Sequence, residues 1–408
     1  MPRFRKAFSL LLLSSMVLSS PSAFANDDPD VDPDRYEFSA LPIFMADTDR
    51  GFITGATGLV VRFKKGYYPY RWRMQLLTRF SVERQPDDTL QLPFHEYRLR
   101  FDIPGVLTPR LRLDAEVAFR RYTDSGYYGF GNDSPGENGV DRFNEYDRVY
   151  PSALVQARYT FSKHLSFLVG LSFTYNWLEL YEDSKLRTDT QSLDPKVRDL
   201  LHGTEDHALT ITSLGLVWDT RDHEFSPTRG MFHELSWRLS PGLELLYGGA
   251  NATARFFYPL LGEKLVVASR LVLDFIVGDA PLYELSRFGS LTPQDGIGGA
   301  QAIRGVPLQR YHGKIKALAN VELRSELVAF HLLSQRFKLG FLAFVDMGRL
   351  WSDYEALQRF DGDGLGLKLG LGGGSRLRWG ETFVLRFDLA WSPDADPVGA
   401  YIGFNHVF

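Results

Sequence analysis

Val398-Gly399-Ala400-Tyr401-Ile402-Gly403-Phe404-Asn405-His406-Val407-Phe408 closes the chain. Val398, Ala400, Ile402, Phe404 and Phe408 fall on one parity, and small or polar residues fill most of the other. Successive side chains of a strand point to opposite faces, so this stretch reads as an amphipathic strand ending on an aromatic. The N-terminus decides where such a strand resides. Arg3, Arg5 and Lys6 precede an apolar run from Ala7 to Leu18, and Ala23-Phe24-Ala25 follows. This is the layout of a secretory signal peptide, residues 1–25, with cleavage expected after Ala25. The apolar run is too short and too rich in Ser to span a bilayer. A secreted chain that closes on an amphipathic aromatic strand predicts a β-barrel in the outer membrane of a diderm bacterium.

Composition narrows the classes further. There is no Cys, which excludes a disulfide, a thiolate metal site and a lipid-anchor cysteine. Removing three positive charges with the signal takes the formal charge from −4 to −7. A mildly acidic chain is a poor partner for nucleic acid. Beyond the signal no run approaches the ~18 apolar residues of a membrane helix. The nine His residues are scattered without a ligand-pair spacing, and no Ser–His or Asp–His grouping suggests a hydrolase. The chain is expected to be neither an enzyme nor a holder of metal or cofactor.

Working back from the C-terminus, residues 26–35 are acidic and Pro-rich and read as a disordered lead-in. From Tyr36 to Phe408 the chain reads as about sixteen strands and no second domain. Leu111, Leu113, Ala115, Val117 and Phe119 alternate with Arg112, Asp114, Glu116 and Arg120. Phe383, Leu385, Phe387, Leu389 and Trp391 alternate with Arg386 and Asp388. The apolar parity suits lipid and the charged parity a polar lumen. Connections alternate too: 123–148, 179–205, 278–315 and 349–364 are long, whereas Ser162-Lys163, Leu261–Glu263 and Gly380-Glu381 are tight. Long outer loops opposite short periplasmic turns are a barrel asymmetry. Clusters such as Tyr67, Tyr68, Tyr70 and Trp72, or Tyr122, Tyr127, Tyr128 and Phe130, suit interfacial girdles. Asp361–Asp363, and Asn132-Asp133 with Glu137, read as solvated surface loops.

Four motifs stand on this frame. Gly298–Pro307 includes Ile303-Arg304-Gly305-Val306 within the longest outer loop, the sixth. Asp219-Thr220-Arg221-Asp222 is followed by Pro227 and Gly230, where Asp satisfies turn amides and Pro with Gly fixes a tight exit. Asn320-Val321-Glu322-Leu323-Arg324 and Phe344-Val345-Asp346-Met347-Gly348 lie on strands whose parity turns Glu322 and Asp346 inward. An Arg confined in a lumen needs anionic partners, and a bidentate guanidinium–carboxylate pair fits.

Together these motifs resemble the bacterial surface antigen barrel superfamily, the BamA/TamA-like outer-membrane barrels. Ile303–Val306 is similar to that family's Val-Arg-Gly-Phe/Tyr loop tip, and Asp219–Gly230 to its Asp-Thr-Arg-Asp…Pro-x-x-Gly turn. Asp346 and Gly348 match its Phe-x-Asp-x-Gly strand and Glu322 its Asn-x-Glu-x-Arg strand. Phe404 and Phe408 match the sorting signal read by the barrel-assembly machinery. The resemblance implies an all-β, transmembrane antiparallel barrel with the sixth loop folded into the lumen, and Arg304 paired to Asp346 and Glu322. It implies work in protein insertion or translocation, or in lipid movement, through a gated lumen or lateral seam. Outer-membrane lipid and the assembly machinery are then partners. Better-known members carry periplasmic POTRA modules, for which the short lead-in leaves no room. A separately encoded periplasmic partner or a dimer mate is therefore expected, or a different function. The residues themselves leave two readings open: Arg304 as a plain staple in a passive pore or structural surface barrel, or as a control on opening between first and last strands. Gly399 and Gly403 in the last strand and Pro42 in the first would weaken that junction.

Overall fold

A computed structural model gives the protein at residues 34–408, apart from 49, 68–69, 85–89, 137–141, 225, 243–244, 263, 292, 333–334 and 380–382. The expected signal peptide and residues 26–33 of the lead-in lie outside the described residues, as do Tyr68, Glu137, Phe225, Glu263 and the turn at Gly380-Glu381. Sixteen strands form one closed antiparallel barrel, each paired with the next and the first with the last. They are β1 Tyr36–Asp47, β2 Gly51–Arg62, β3 Trp72–Arg84, β4 Phe94–Pro104, β5 Leu111–Gly126, β6 Glu145–Thr160, β7 Leu165–Leu180 and β8 His207–Asp219. The second half is β9 Gly230–Pro241, β10 Leu246–Pro259, β11 Leu265–Gly278, β12 Ile315–Leu332, β13 Gln335–Trp351, β14 Lys368–Trp379, β15 Phe383–Ser392 and β16 Ala395–Phe404.

Alternation sets the faces as a bilayer and a polar lumen require. Phe387, Leu389 and Trp391 are exposed on the outside of β15, while Arg386, Asp388 and Ala390, which alternate with them, are buried. Four long loops lie on one side, at 127–144, 181–206, 279–314 and 352–367. Three connections on that same side are tight, at 48–50, 242–245 and 393–394, so the expected asymmetry is partial. Two of the tight ones flank the junction of β1 and β16.

The long loops carry short helices that the sequence pattern did not show: α1 Lys185–Thr190, α2 Pro195–Leu200, α3 Leu282–Leu285 and α4 Gln358–Asp361. Ser184 and Asp194 cap the first two, accepting from the amides of Arg187 (3.2 Å) and Lys196 (3.0 Å). Leu186, Val197 and Leu200 from these helices pack with Tyr127, Phe130, Tyr146, Leu282 and Tyr283 into an apolar cap over the lumen. Tyr127, Tyr128 and Phe130 are thus buried, and Tyr70 is buried with its hydroxyl on Asp102; they are not girdle residues. Trp177 and Trp391 are exposed on the outside of the barrel wall. Nor are Asp361 and Asn132 solvated. Asp361 accepts from Ser352 N (2.7 Å) and Leu357 N (3.0 Å), and Asn132 Nδ2 donates to Gly366 O (2.7 Å). They fold the loops against one another.

The last strand departs most from expectation. It ends at Phe404, and Asn405 (φ 64°) turns the chain, its N–H donating to Val384 O at 2.7 Å. Asn tolerates that left-handed geometry better than most residues. Phe408 consequently does not face lipid. Its ring is buried against Phe257, Val266 and Ala268 inside the lumen. At the other end, Asp34 and Arg35 are tied to the β2–β3 turn, through Lys65 N to Asp34 Oδ1 (2.9 Å) and Phe63 N to Arg35 O (2.9 Å).

Candidate functional site

The sixth outer loop, 279–314, enters the lumen, and its tip is a tight turn built on glycines. Gly298, Gly299 and Gly305 all have positive φ (113°, 82° and 92°), a geometry that costs glycine little. Gly299 N donates to Val306 O at 2.8 Å, closing the turn. Ile303 and Val306 are fully buried beside Ile297, Leu318 and Leu350, which turns Arg304 into the wall.

Arg304 meets three carboxylates there. Its Nε and Nη2 donate to Asp346 Oδ2 (2.8 Å) and Oδ1 (2.9 Å), and its backbone N–H also donates to Asp346 Oδ2 (3.2 Å). Nη1 donates to Asp388 Oδ2 at 3.2 Å. It also lies 2.8 Å from Glu322 Oε1, a charge contact rather than an aligned hydrogen bond. All four side chains are fully buried. The guanidinium stacks on the Phe344 ring at 3.4 Å, and Asn320 Nδ2 donates to Asp346 Oδ1 at 2.7 Å. Opposite charges in a low-dielectric site offset their desolvation only when hydrogen bonds are good, and Asp346 accepts four here.

The wall is shaped to admit the tip. A Cβ on Gly370 of β14 would lie 2.2 Å from Arg304 O, and one on Gly348 of β13 would meet Ile303 Cδ1 at 3.0 Å. Gly305 N donates to Tyr401 Oη at 2.9 Å, so the tip also grips β16. A second fastening holds the loop's start: Asp274 on β11 receives Arg238 at 3.0 Å and Gly289 N at 3.0 Å, with Lys316 Nζ 3.3 Å away.

Sequence reading had placed Arg304, Glu322 and Asp346 together. It had placed Asp388 in the lumen without seeing it as a third acceptor, and it missed Tyr401, Phe344 and the Asp274 cluster. The inward parity of Asp388 and Asp274 was the available signal.

The predicted turn stands elsewhere, at the opposite mouth. Asp219 accepts from Arg221 N (3.1 Å) and Nε (2.9 Å), and Asp222 accepts from Thr228 N (3.0 Å) and Arg229 N (3.3 Å). Burial alone would raise the Asp222 carboxyl, but the Thr228 hydroxyl and these amides outweigh it and hold it below the usual range. Pro227 is buried, and a Cβ on Gly230 (φ 100°) would clash with Thr220 O. His223 Nδ1 accepts from Ser226 N (3.1 Å), so these groups form the turn itself.

The tail links the two regions. Ser226 Oγ lies 3.3 Å from His406 Nε2. Arg324 donates Nη2 to Phe408 O (3.0 Å) and Nε to Glu322 Oε2 (2.8 Å). A continuous polar path therefore runs from the loop tip through Glu322 and Arg324 to the C-terminus.

The closing seam is short. β1 pairs with β2 along all twelve of its residues, but with β16 only at Ala46↔Ile402 and Asp47↔Tyr401. Thr48 adds a side-chain contact, its Oγ1 accepting from Ala400 N at 2.8 Å. From Tyr36 to Met45 the outer edge of β1 has no ladder partner among the described residues.

A closed sixteen-stranded barrel with a loop locked into its lumen and a brief first-to-last junction defines a class of outer-membrane protein. The Omp85 superfamily domain matches residues 94–405, and the chain belongs to that superfamily. In fold it is similar to BamA from Haemophilus ducreyi lacking POTRA domains 1–3, at 15% identity and TM-score 0.60, covering 91% of this chain and 70% of that one. It is also similar to CdiB from Escherichia coli (13%, TM-score 0.56) and from Acinetobacter baumannii (14%, 0.52). It covers 62% and 59% of those two chains, and they cover 90% and 91% of it. No curated protein matches the chain by sequence.

Proposed function

We propose that the barrel acts by parting its seam, so that β1 and β16 separate to insert or pass a protein segment or to move lipid across the outer membrane. The observation that carries this is the two-pair ladder at Ala46 and Asp47 beside a twelve-pair ladder on the other edge of the same strand. An edge with free N–H and C=O groups is a template for an incoming strand. Gly399 and Gly403 leave β16 little side-chain packing with which to resist separation. Arg304, held by β12, β13 and β15 and through Gly305 by β16, keeps those strands together as one side of the opening. No catalytic step belongs to this reading. Outer-membrane lipid, a client chain and a separately encoded periplasmic partner or second copy are its partners.

Reconstitution in liposomes tests it. Purified protein should accelerate lipid scrambling or the insertion of an unfolded client barrel above protein-free vesicles. Steady conductance with neither effect would instead identify a passive pore.

A further inference from the structure

Fastening the sixth loop toward β11–β16 leaves a cavity of about 350 Å³ against the opposite wall, formed by β4–β8. Its size is that of a small-ligand site. Seven arginines line it against four carboxylates, an excess of three positive charges. The strand register orders them. Arg100 stands opposite Glu116, Arg98 opposite Ala118, Arg120 follows on β5 itself, and Arg148 stands opposite Tyr122. Four successive inward rungs, about 7 Å apart along the strand, thus each carry a guanidinium. Side-chain exposure falls along the series, from 43% at Arg100 through 31% at Arg98 to 17% at Arg120, and Arg148 is buried. The vestibule is therefore wet at the end where β4 meets the tight turn 105–110 and closed under the outer cap.

Among the described residues, two of these cations make no hydrogen bond to a carboxylate. Arg98 reaches oxygens of Glu96 and Glu116 only at 4.0 Å. Arg148 donates to the neutral Asn176 Oδ1 (3.1 and 2.7 Å) and lies between the rings of Tyr283 (3.3 Å) and Tyr150 (4.1 Å). On the same wall, Gln156 is more than nine-tenths buried and its Nε2 donor has no partner among the described residues. An unsatisfied donor and a net positive lining within low-dielectric walls favour an oxyanion.

We propose that this vestibule is a periplasm-facing oxyanion site that takes phosphate groups, free or on a lipid headgroup. Guanidinium groups on adjacent rungs suit a ligand with several phosphate oxygens. The site is independent of seam opening and would exist in a barrel that handles no client.

Two probes distinguish the sources. Tripolyphosphate is titrated onto the folded protein in neutral detergent, with unfolding temperature as readout. Separately, the protein is placed in phosphatidylcholine nanodiscs with and without phosphatidic acid, and retained lipid is measured by mass spectrometry after detergent transfer. A response to tripolyphosphate alone assigns free phosphate compounds; retention of phosphatidic acid alone assigns a headgroup; both together assign the shared chemistry. Arg98→Gln, at a partly exposed position, should weaken the response about tenfold, as expected when a charge-assisted contact is lost. Gln156→Glu places a carboxylate on the same wall and should weaken it as well, with heat-modifiability confirming that both variants fold. No response to either probe, or responses equal to wild type in both folded variants, would overturn the proposal.

Discussion

Arg304 Nε lies 2.8 Å from Asp346 Oδ2, and both side chains are fully buried. This pair fixes the loop tip to β13, while Glu322 and Asp388 hold the remaining guanidinium nitrogen from β12 and β15.

Arg304→Ala removes the charge that joins all three acids. Breaking a buried pair from one side costs about 3–5 kcal/mol because the partner stays buried and unpaired. The variant should lose its heat-modifiable form at lower temperature, and its sixth loop should become protease-sensitive. Arg304→Ala with wild-type resistance would remove the tip from the account.

The lipid face offers an independent check. A Lys or Arg near mid-bilayer costs about 2–4 kcal/mol. Leu389→Arg should therefore impair folding much more than Ser172→Asn, at an uncharged inward position that lines the lumen cavity. Assembly yields from membranes measure this, and equal tolerance would contradict the assigned faces.

Phe408 has two separable roles. Deleting it should lower outer-membrane levels without blocking secretion, and should also remove about 1.5–3 kcal/mol of burial against Phe257, Val266 and Ala268. Arg324→Gln keeps the terminal aromatic but loses the contact to Phe408 O, so it should reduce thermal stability with near-normal delivery. Normal levels and normal heat-modifiability in the deletion would defeat both roles.

The outer cap should respond to acid through His312. Burial chiefly, with Lys316 and Arg310 adding repulsion, pushes its imidazole from 6.5 down to about 3. Neither ring nitrogen has a hydrogen-bond partner among the described residues, and the ring meets Tyr127 edge-on at 5.2 Å. Between 6.5 and about 3 the unfolded loop binds a proton that the folded loop rejects. The cap therefore keeps its full stability above that window and loses it as pH falls through it. Limited proteolysis of the outer loops should speed up on acidification, and His312→Phe should blunt the effect. Loops equally resistant across the window would contradict it.

Much of this was legible from residue parity because a bilayer outside and charge inside leave a period of two. Phe387 and Asp388 are placed by that rule alone, and the same rule turned Glu322 and Asp346 toward Arg304. The rule is silent where the chain leaves the wall. Residues 405–408 continue the last strand's parity on paper, but Asn405 turns the backbone and Phe408 finds the lumen. Tyr127 and Phe130 have the composition of girdle residues, yet they pack beneath α1 and α2, which are too short to show a helical period. The seam's brevity left only a trace in Pro42, Gly399 and Gly403, since register between the two ends of a chain depends on the closure of the whole barrel.

That seam is also where the account is most exposed to test. The protein has no cysteine, and Ala46 and Ile402 are Cα partners across the junction, close enough for a disulfide. Ala46→Cys with Ile402→Cys, oxidised in liposomes, should abolish lipid movement or client insertion, and reductant should restore it. A control pair across β1 and β2, Ala40→Cys with Gly58→Cys, should have no effect. Full activity in the oxidised seam variant, with the disulfide verified, would contradict the claim that the first and last strands must part.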